Sequence, residues 1–147
     1  MHNKRSVIAS FVITELFAVL TVAGAFTLPM LTRIYCDLTD RPERVAVSIT
    51  VGCYTCLPFV LAALVCLHML LANINREQTF IVRNVTLLRV MSWLCFVIGL
   101  VCLVSGFFYM PFFLVAAAAA FIALIIRVIK NVFESAIKLK DENDMTI

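Results

Sequence analysis

Charged residues are scarce in this chain: only 14% of its 147 residues are Asp, Glu, Lys or Arg, against about a quarter in an average soluble domain. Hydrophobic residues make up 63%, and the mean hydropathy is +1.05. So little polar sequence cannot cover so many apolar side chains in water, which excludes a soluble enzyme. The net charge is only +3 and the basic residues lie in small groups, so direct binding of nucleic acid is not expected.

The sequence also lacks the motifs that carry common enzyme chemistry. His68 is the only histidine inside an apolar run, and no second histidine or carboxylate stands at the spacing of metal or haem ligands. A glycine-rich phosphate loop, a nucleophile elbow and an HExxH motif are all missing. We therefore predict a protein that is not an enzyme, with no catalytic, cofactor or metal site.

Long apolar runs are what the chain does have. Four of them, residues 6–31, 45–71, 87–109 and 112–130, are near or above the roughly 20 residues that a membrane-spanning helix needs. The first begins like a signal peptide, but Glu15 interrupts it and it continues to Leu31, so we interpret it as a transmembrane helix. The sequence predicts one all-α membrane domain, a polytopic bundle of four transmembrane helices.

The distribution of basic residues predicts the orientation. Nine of the twelve Lys and Arg residues lie at the N-terminus, around the connection between spans two and three, or after residue 126. Cytoplasmic segments carry the excess of Lys and Arg. Both termini are therefore expected in the cytoplasm, in a multi-pass protein of the cell membrane.

Span three carries a seam of small residues at spacings of three and four: Ser92, Cys95, Gly99, Cys102 and Gly106. Helices in a bilayer associate where small side chains let their backbones approach. The expected neighbour is the alanine run 116–120 of span four.

The last helix is expected to continue as an amphipathic cytoplasmic extension, residues 131–147. Its predicted apolar face is Ile129, Val132, Phe133, Ala136 and Ile137, and its polar face Lys130, Glu134 and Lys138. The acidic tail closes with Met145 and Ile147, which would share one side of an extended strand. We hypothesise that these two side chains dock beside Phe80 or on a partner, while the acidic residues meet basic ones such as Arg76 or Arg83.

Glu15 is the only acidic residue inside a span, and an intramembrane carboxylate is a functional candidate because its burial is costly. His68 is its nearest expected partner. Small four-helix multidrug exporters also place a glutamate in their first helix, so a proton-coupled transporter using Glu15 is the alternative function.

Cys53 and Cys56 form a CxxC pair, the spacing of thiol-disulfide enzymes. The pair lies inside span two, where apolar surroundings lower the reactivity of a thiol. A membrane thiol oxidoreductase is therefore the less favoured alternative.

Two segments resemble a known family. Phe80, Asn84-Val85 and Leu88-Arg89 reproduce the pattern F-x3-N-V-x2-L-R, and the tail 141–147 resembles the ending ENDLT(I/V). Both patterns are similar to those of the DUF2975 family, bacterial four-helix membrane proteins of unknown function.

The resemblance implies a partner, because genes of this family often stand beside one for a small helix-turn-helix regulator of the Cro/C1 type. The leading hypothesis is a membrane-resident regulatory protein that binds such a regulator at its cytoplasmic face, with the lipid bilayer as its other partner and homo-oligomerisation left open. The predicted partner-binding residues are Phe80, Asn84, Arg89, Asp141, Glu142, Asn143, Asp144, Met145 and Ile147.

Overall fold

The computed structural model describes residues 2–76 and 78–146, and side chains from Val7 onward within them. These residues form four α-helices and no strand: α1 His2–Leu38, α2 Glu43–Asn75, α3 Val82–Gly106 and α4 Pro111–Met145. Each helix is long and apolar enough to cross a membrane. The predicted all-α class with four helices of membrane-spanning length is therefore confirmed.

Short connections reverse the chain direction between helices. Asp40 adopts a left-handed conformation (φ 52°) after α1, while the amide of Arg41 donates to the carbonyl of Cys36 at 3.0 Å. A residue of this conformation is a common helix terminator. The third predicted span continues to Tyr109, but α3 ends at Gly106 because Pro111 already begins α4, which leaves residues 107–110 for the turn.

The four helices pack in chain order, α1 on α2, α2 on α3 and α3 on α4. Within the described residues, α1 makes no backbone contact with α3 or α4. The hydroxyl groups of Tyr35 and Tyr109 are hydrogen-bonded at 2.9 Å, which joins α1 to the α3–α4 turn. The predicted bundle is thus an open one, and α1 and α4 each leave most of their surface uncovered.

The small-residue seam of α3 packs against α4, as the sequence predicts. A Cβ added at Gly99 would lie 3.5 Å from the carbonyl oxygen of Ala116 and 3.6 Å from Cβ of Ala119. The hydroxyl of Ser92 donates to the carbonyl of Ala123 at 3.0 Å. The two backbones therefore approach as closely as small side chains allow.

The same seam also reaches α2. Cys102 of α3 belongs to a buried cluster with Cys56 of α2 and Phe112 and Ala116 of α4. Gly52 is part of this contact, since a Cβ there would lie 2.9 Å from the hydroxyl oxygen of Ser105. Three of the four helices thus share one core near the α3–α4 turn.

Helix α4 is longer than its partner α3. The ring of Phe133 packs on Phe80, just before α3, with centroids 5.5 Å apart. Residues 134–145, which we call the α4 arm, therefore extend about 18 Å past the α2–α3 connection at 1.5 Å per residue. We call this end of the molecule the arm end, and the opposite end, with the α1–α2 and α3–α4 connections, the turn end.

The tail is helical, so the prediction of an extended strand at its close is wrong. Helix α4 continues to Met145, and the hydroxyl of Thr146 donates to the carbonyl of Glu142 at 2.6 Å. Neither glycine nor proline follows Pro111 to end the helix earlier. Ile147 lies outside the described residues.

Candidate functional site

Asn84 organises the connection between α2 and α3. Its side chain is completely buried, and its amide nitrogen donates to the carbonyls of Gln78 at 2.9 Å and Thr79 at 2.7 Å. Its amide oxygen accepts a hydrogen bond from Asn73 at 2.7 Å. The prediction that Asn84 lies on a partner-binding surface is wrong, because all of its polar atoms are used inside the chain.

Phe80 stands at the base of the α4 arm. Its side chain is half exposed, and its packed face contacts Phe133. Met145, in contrast, is 88% exposed. The hypothesis that Met145 docks beside Phe80 within the chain is therefore wrong, and Met145 is free to contact another molecule.

Lys130 and Glu134 form an ion pair one helical turn apart, with Nζ and Oε2 separated by 2.8 Å. The hydrogen bond from Lys130, together with its charge, lowers the pKa of Glu134, and the more distant charges of Lys138 and Arg89 act in the same direction. Arg89 is exposed. The pair thus lies within α4, at the beginning of the segment that extends past the α2–α3 connection.

The predicted faces of the extension are partly wrong. The Lys130 side chain, assigned to the polar face, is only 16% exposed, whereas Val132 of the apolar face is 60% exposed. Covered residues of α4 recur every three or four positions: Phe112, Ala116, Ala119, Ala123, Ile126, Lys130, Phe133 and Ile137. This spacing is that of the α4 face that packs on α3. Lys130 therefore lies on the packed side of α4, and Val132 points outward.

The α4 arm therefore presents apolar and acidic groups together. Leu139 is 67% exposed and follows Val132 on the same side of the helix at a spacing of seven residues. Asp141, Glu142, Asn143 and Asp144 are exposed as well. These predicted partner-binding residues of the tail lie on the surface, as does Phe80 at the base of the arm.

Glu15 and His68 form the second polar site. Oε1 of Glu15 lies 2.8 Å from Nδ1 of His68, which confirms the pairing that the sequence suggested. The ring of Phe11 meets the imidazole edge-to-face at 5.2 Å. Because the two side chains are 61% and 46% exposed, the pair lies at the rim of the α1–α2 contact.

The six cysteines are all free. Sγ of Cys56 lies 3.9 Å from Sγ of Cys102 on α3, inside the buried core, and Cys53 packs against the same cluster. The close sulfur contact of Cys56 is thus made with α3, across the helix interface. The arrangement is that of packing residues, with no exposed attacking thiol at Cys56.

One contact was missed by sequence reasoning. The guanidinium carbon of Arg127 lies 5.7 Å from the centroid of the Trp93 ring, within the range of a cation–π interaction. The signals were the single tryptophan of the chain and an arginine at the end of the last apolar run. No group of three or more metal-ligating side chains occurs in the part of the chain that the structure describes.

These features define the class: an all-helical protein whose four helices are long and apolar enough to span a membrane, the architecture of a multi-pass membrane protein. The chain belongs to the family described as "Protein of unknown function (DUF2975)", whose model matches residues 13–147. The match includes Glu15, the whole of α2, α3 and α4, and the tail. Comparisons with curated proteins and with solved structures found no match.

Proposed function

We propose that the chain is a non-enzymatic membrane protein that binds a small cytoplasmic helix-turn-helix transcription regulator through the α4 arm. The observation that carries the proposal is the arm itself. It extends past the α2–α3 connection, and Leu139 and Met145 stay exposed among charged residues. The proposal takes these two exposed apolar side chains, which lie outside the apolar part of α4, as the contacts with the partner.

The proposal places the arm end in the cytoplasm. Arg76, Arg83 and Arg89 cluster around the α2–α3 connection, and Lys138 and Lys140 lie on the arm. At the turn end, the charges around the α1–α2 connection balance, because positions 33 to 44 contain three arginines and three acidic residues. The positive-inside rule supports this orientation in the cell membrane.

The chemistry of the arm supports a basic, groove-bearing partner. A helix that exposes Leu139 on the arm, and Val132 on the same side just before it, suits insertion into an apolar groove. Asp141, Glu142 and Asp144 add negative charge beyond them. A DNA-binding regulator carries a basic surface for phosphate contacts, so the acidic tail would attract that surface and compete with DNA for it.

Two measurements test this proposal. Reporter fusions at Asp40 and Ile147 should place Asp40 outside and the C-terminus inside, and the opposite result would remove the arm from any cytoplasmic partner. Affinity capture of the full-length protein from membranes, followed by mass spectrometry, should then enrich a small helix-turn-helix protein. Absence of such a protein from the captured material would contradict the proposed function.

A second candidate function is proton-coupled transport, and the 2.8 Å contact of Glu15 with His68 favours it. At this distance the Glu15 carboxylate and the His68 imidazole are within hydrogen-bonding range of each other. An intramembrane ionisable pair is typical of proton pathways in transporters. This candidate requires Glu15 itself to carry the exchanged proton.

A further inference from the structure

A crevice lies between α3 and α4, and no residue of α2 lines it. It has a volume of about 280 Å³ and is lined by Trp93, Phe96, Leu124 and Arg127, with small residues at its floor. We call it the Trp93 crevice. The rings of Trp93 and Phe96 meet edge-to-face at 5.9 Å, and the hydrogen bond from Ser92 to Ala123 fixes the floor.

Arg127 gives the crevice a positive charge at one end. Its guanidinium lies over the Trp93 ring, and among the described residues no carboxylate comes within ion-pair distance of it. The next basic residue, Lys130, is already paired with Glu134. The walls of the crevice are otherwise mostly apolar, so an apolar groove leads to an uncompensated cation.

The position of Arg127 along α4 places that cation near a membrane boundary. Arg127 is 16 residues from Pro111, about 24 Å along the helix, and the hydrocarbon core is about 30 Å thick. Arginine at this depth extends toward the headgroups, and tryptophan is enriched at the same level. The groove therefore opens where lipid headgroups and acyl chains meet.

We propose that the Trp93 crevice binds an anionic phospholipid of the leaflet at the arm end. One acyl chain lies along Phe96 and Leu124, and the lipid phosphate contacts the guanidinium of Arg127, which Trp93 holds in place. Basic pockets between transmembrane helices bind anionic headgroups. A zwitterionic lipid also carries a phosphate, but its own ammonium group offsets the attraction. This assignment is independent of the proposed regulator.

Trp93 is the only tryptophan in the chain, so its fluorescence reports on this crevice alone. The purified full chain is placed in nanodiscs that contain a small fraction of phosphatidylglycerol or phosphatidylcholine brominated midway along the acyl chains. One basic residue near the membrane surface favours an anionic lipid about fivefold. The brominated phosphatidylglycerol should therefore reach a given degree of Trp93 quenching at about one fifth of the mole fraction that the brominated phosphatidylcholine requires.

Variants assign the preference to the site. Arg127→Gln should remove the preference for phosphatidylglycerol, Arg127→Lys should keep part of it, and the matched control Arg83→Gln, also exposed, should keep all of it. Inorganic phosphate added to the parent should leave the quenching unchanged. Helical content by circular dichroism should be the same in all four proteins.

Five results would overturn the proposal. Equal quenching by the two lipids in the parent would show no selective site, and a preference that survives Arg127→Gln, or that is lost completely in Arg127→Lys, would remove the charge as its cause. Loss of the preference in Arg83→Gln would assign it to general surface charge. Reversal of the quenching by inorganic phosphate would indicate a site for the free anion.

Discussion

The side-chain amide of Asn73 donates to the amide oxygen of Asn84 at 2.7 Å, which joins the end of α2 to the beginning of α3. Asn84 in turn holds two carbonyls of the connection between these helices. These hydrogen bonds hold Gln78 and Thr79 in place, although residues 78–81 contain no regular secondary structure.

Replacing Asn84 with alanine should destabilise the protein. The change leaves the amide of Asn73 and two carbonyls without their partner, a cost of about 1–3 kcal/mol for groups that stay buried. Thermal unfolding in detergent micelles measures the effect. The matched control is Asn75→Ala, since Asn75 is exposed. Equal melting temperatures for the two variants would contradict the role of Asn84.

Gly99→Leu should disrupt the α3–α4 seam. A Cβ at this position already meets Ala116 and Ala119 at ordinary contact distance, so a larger side chain has to push the helices apart, at about 1–3 kcal/mol. Gly24→Leu is the control, because nothing lies within 4 Å of a Cβ there. A Gly99→Leu protein as resistant to thermal unfolding as Gly24→Leu would show that the seam is not closely packed.

The seam and the Glu15–His68 pair could be predicted from the sequence for the same reason. Small residues that recur every three or four positions have one plausible use in an apolar helix, and two ionisable groups in long apolar runs have few partners to choose from. In apolar helices the spacing of small or ionisable residues was therefore enough to predict contacts such as that of Gly99 with Ala116.

Asn84, Lys130 and the tail could not be predicted in the same way. A family pattern does not tell whether Asn84 is buried or exposed, since both kinds of residue can belong to a motif. The face occupied by Lys130 depends on how α4 packs along the whole of α3, which a short amphipathic pattern does not contain. The alternation of Met145 and Ile147 suggested a strand, but the continuing helix overrides it.

The carboxyl group of Glu134 should titrate below the ordinary glutamate value. Because the folded pKa is lowered by Lys130, the pair stabilises the folded chain at pH values above the unfolded pKa, and this contribution is lost as the pH falls through the folded pKa. The Lys130→Met variant should return the titration toward the ordinary value. NMR of the labelled Glu134 carboxyl measures the titration midpoint in the parent and in the variant. Identical midpoints would contradict an ion pair between Lys130 and Glu134.

Glu15→Gln tests the transport candidate. If Glu15 carries the exchanged proton, this variant should lose proton-coupled uptake of cationic substrates in proteoliposomes, because an amide cannot release a proton. Glu43→Gln, an exposed site at the start of α2, should keep the parent's uptake. The candidate fails if the parent shows no flux or if Glu15→Gln transports at the parent's rate.

The most direct test of the proposed function compares capture of the regulator by the parent and by arm variants. Deleting residues 142–147 should leave membrane insertion intact, because the first 31 residues of α4 and all of α1, α2 and α3 lie upstream. The deletion and the variant Leu139→Glu should each reduce the captured helix-turn-helix protein at least about tenfold, the effect of losing roughly 1.4 kcal/mol of binding free energy. The neighbouring exposed change Lys140→Gln should keep capture near the parent level. If the deletion and Leu139→Glu capture as much regulator as the parent, the α4 arm is not the binding surface and the central claim is wrong.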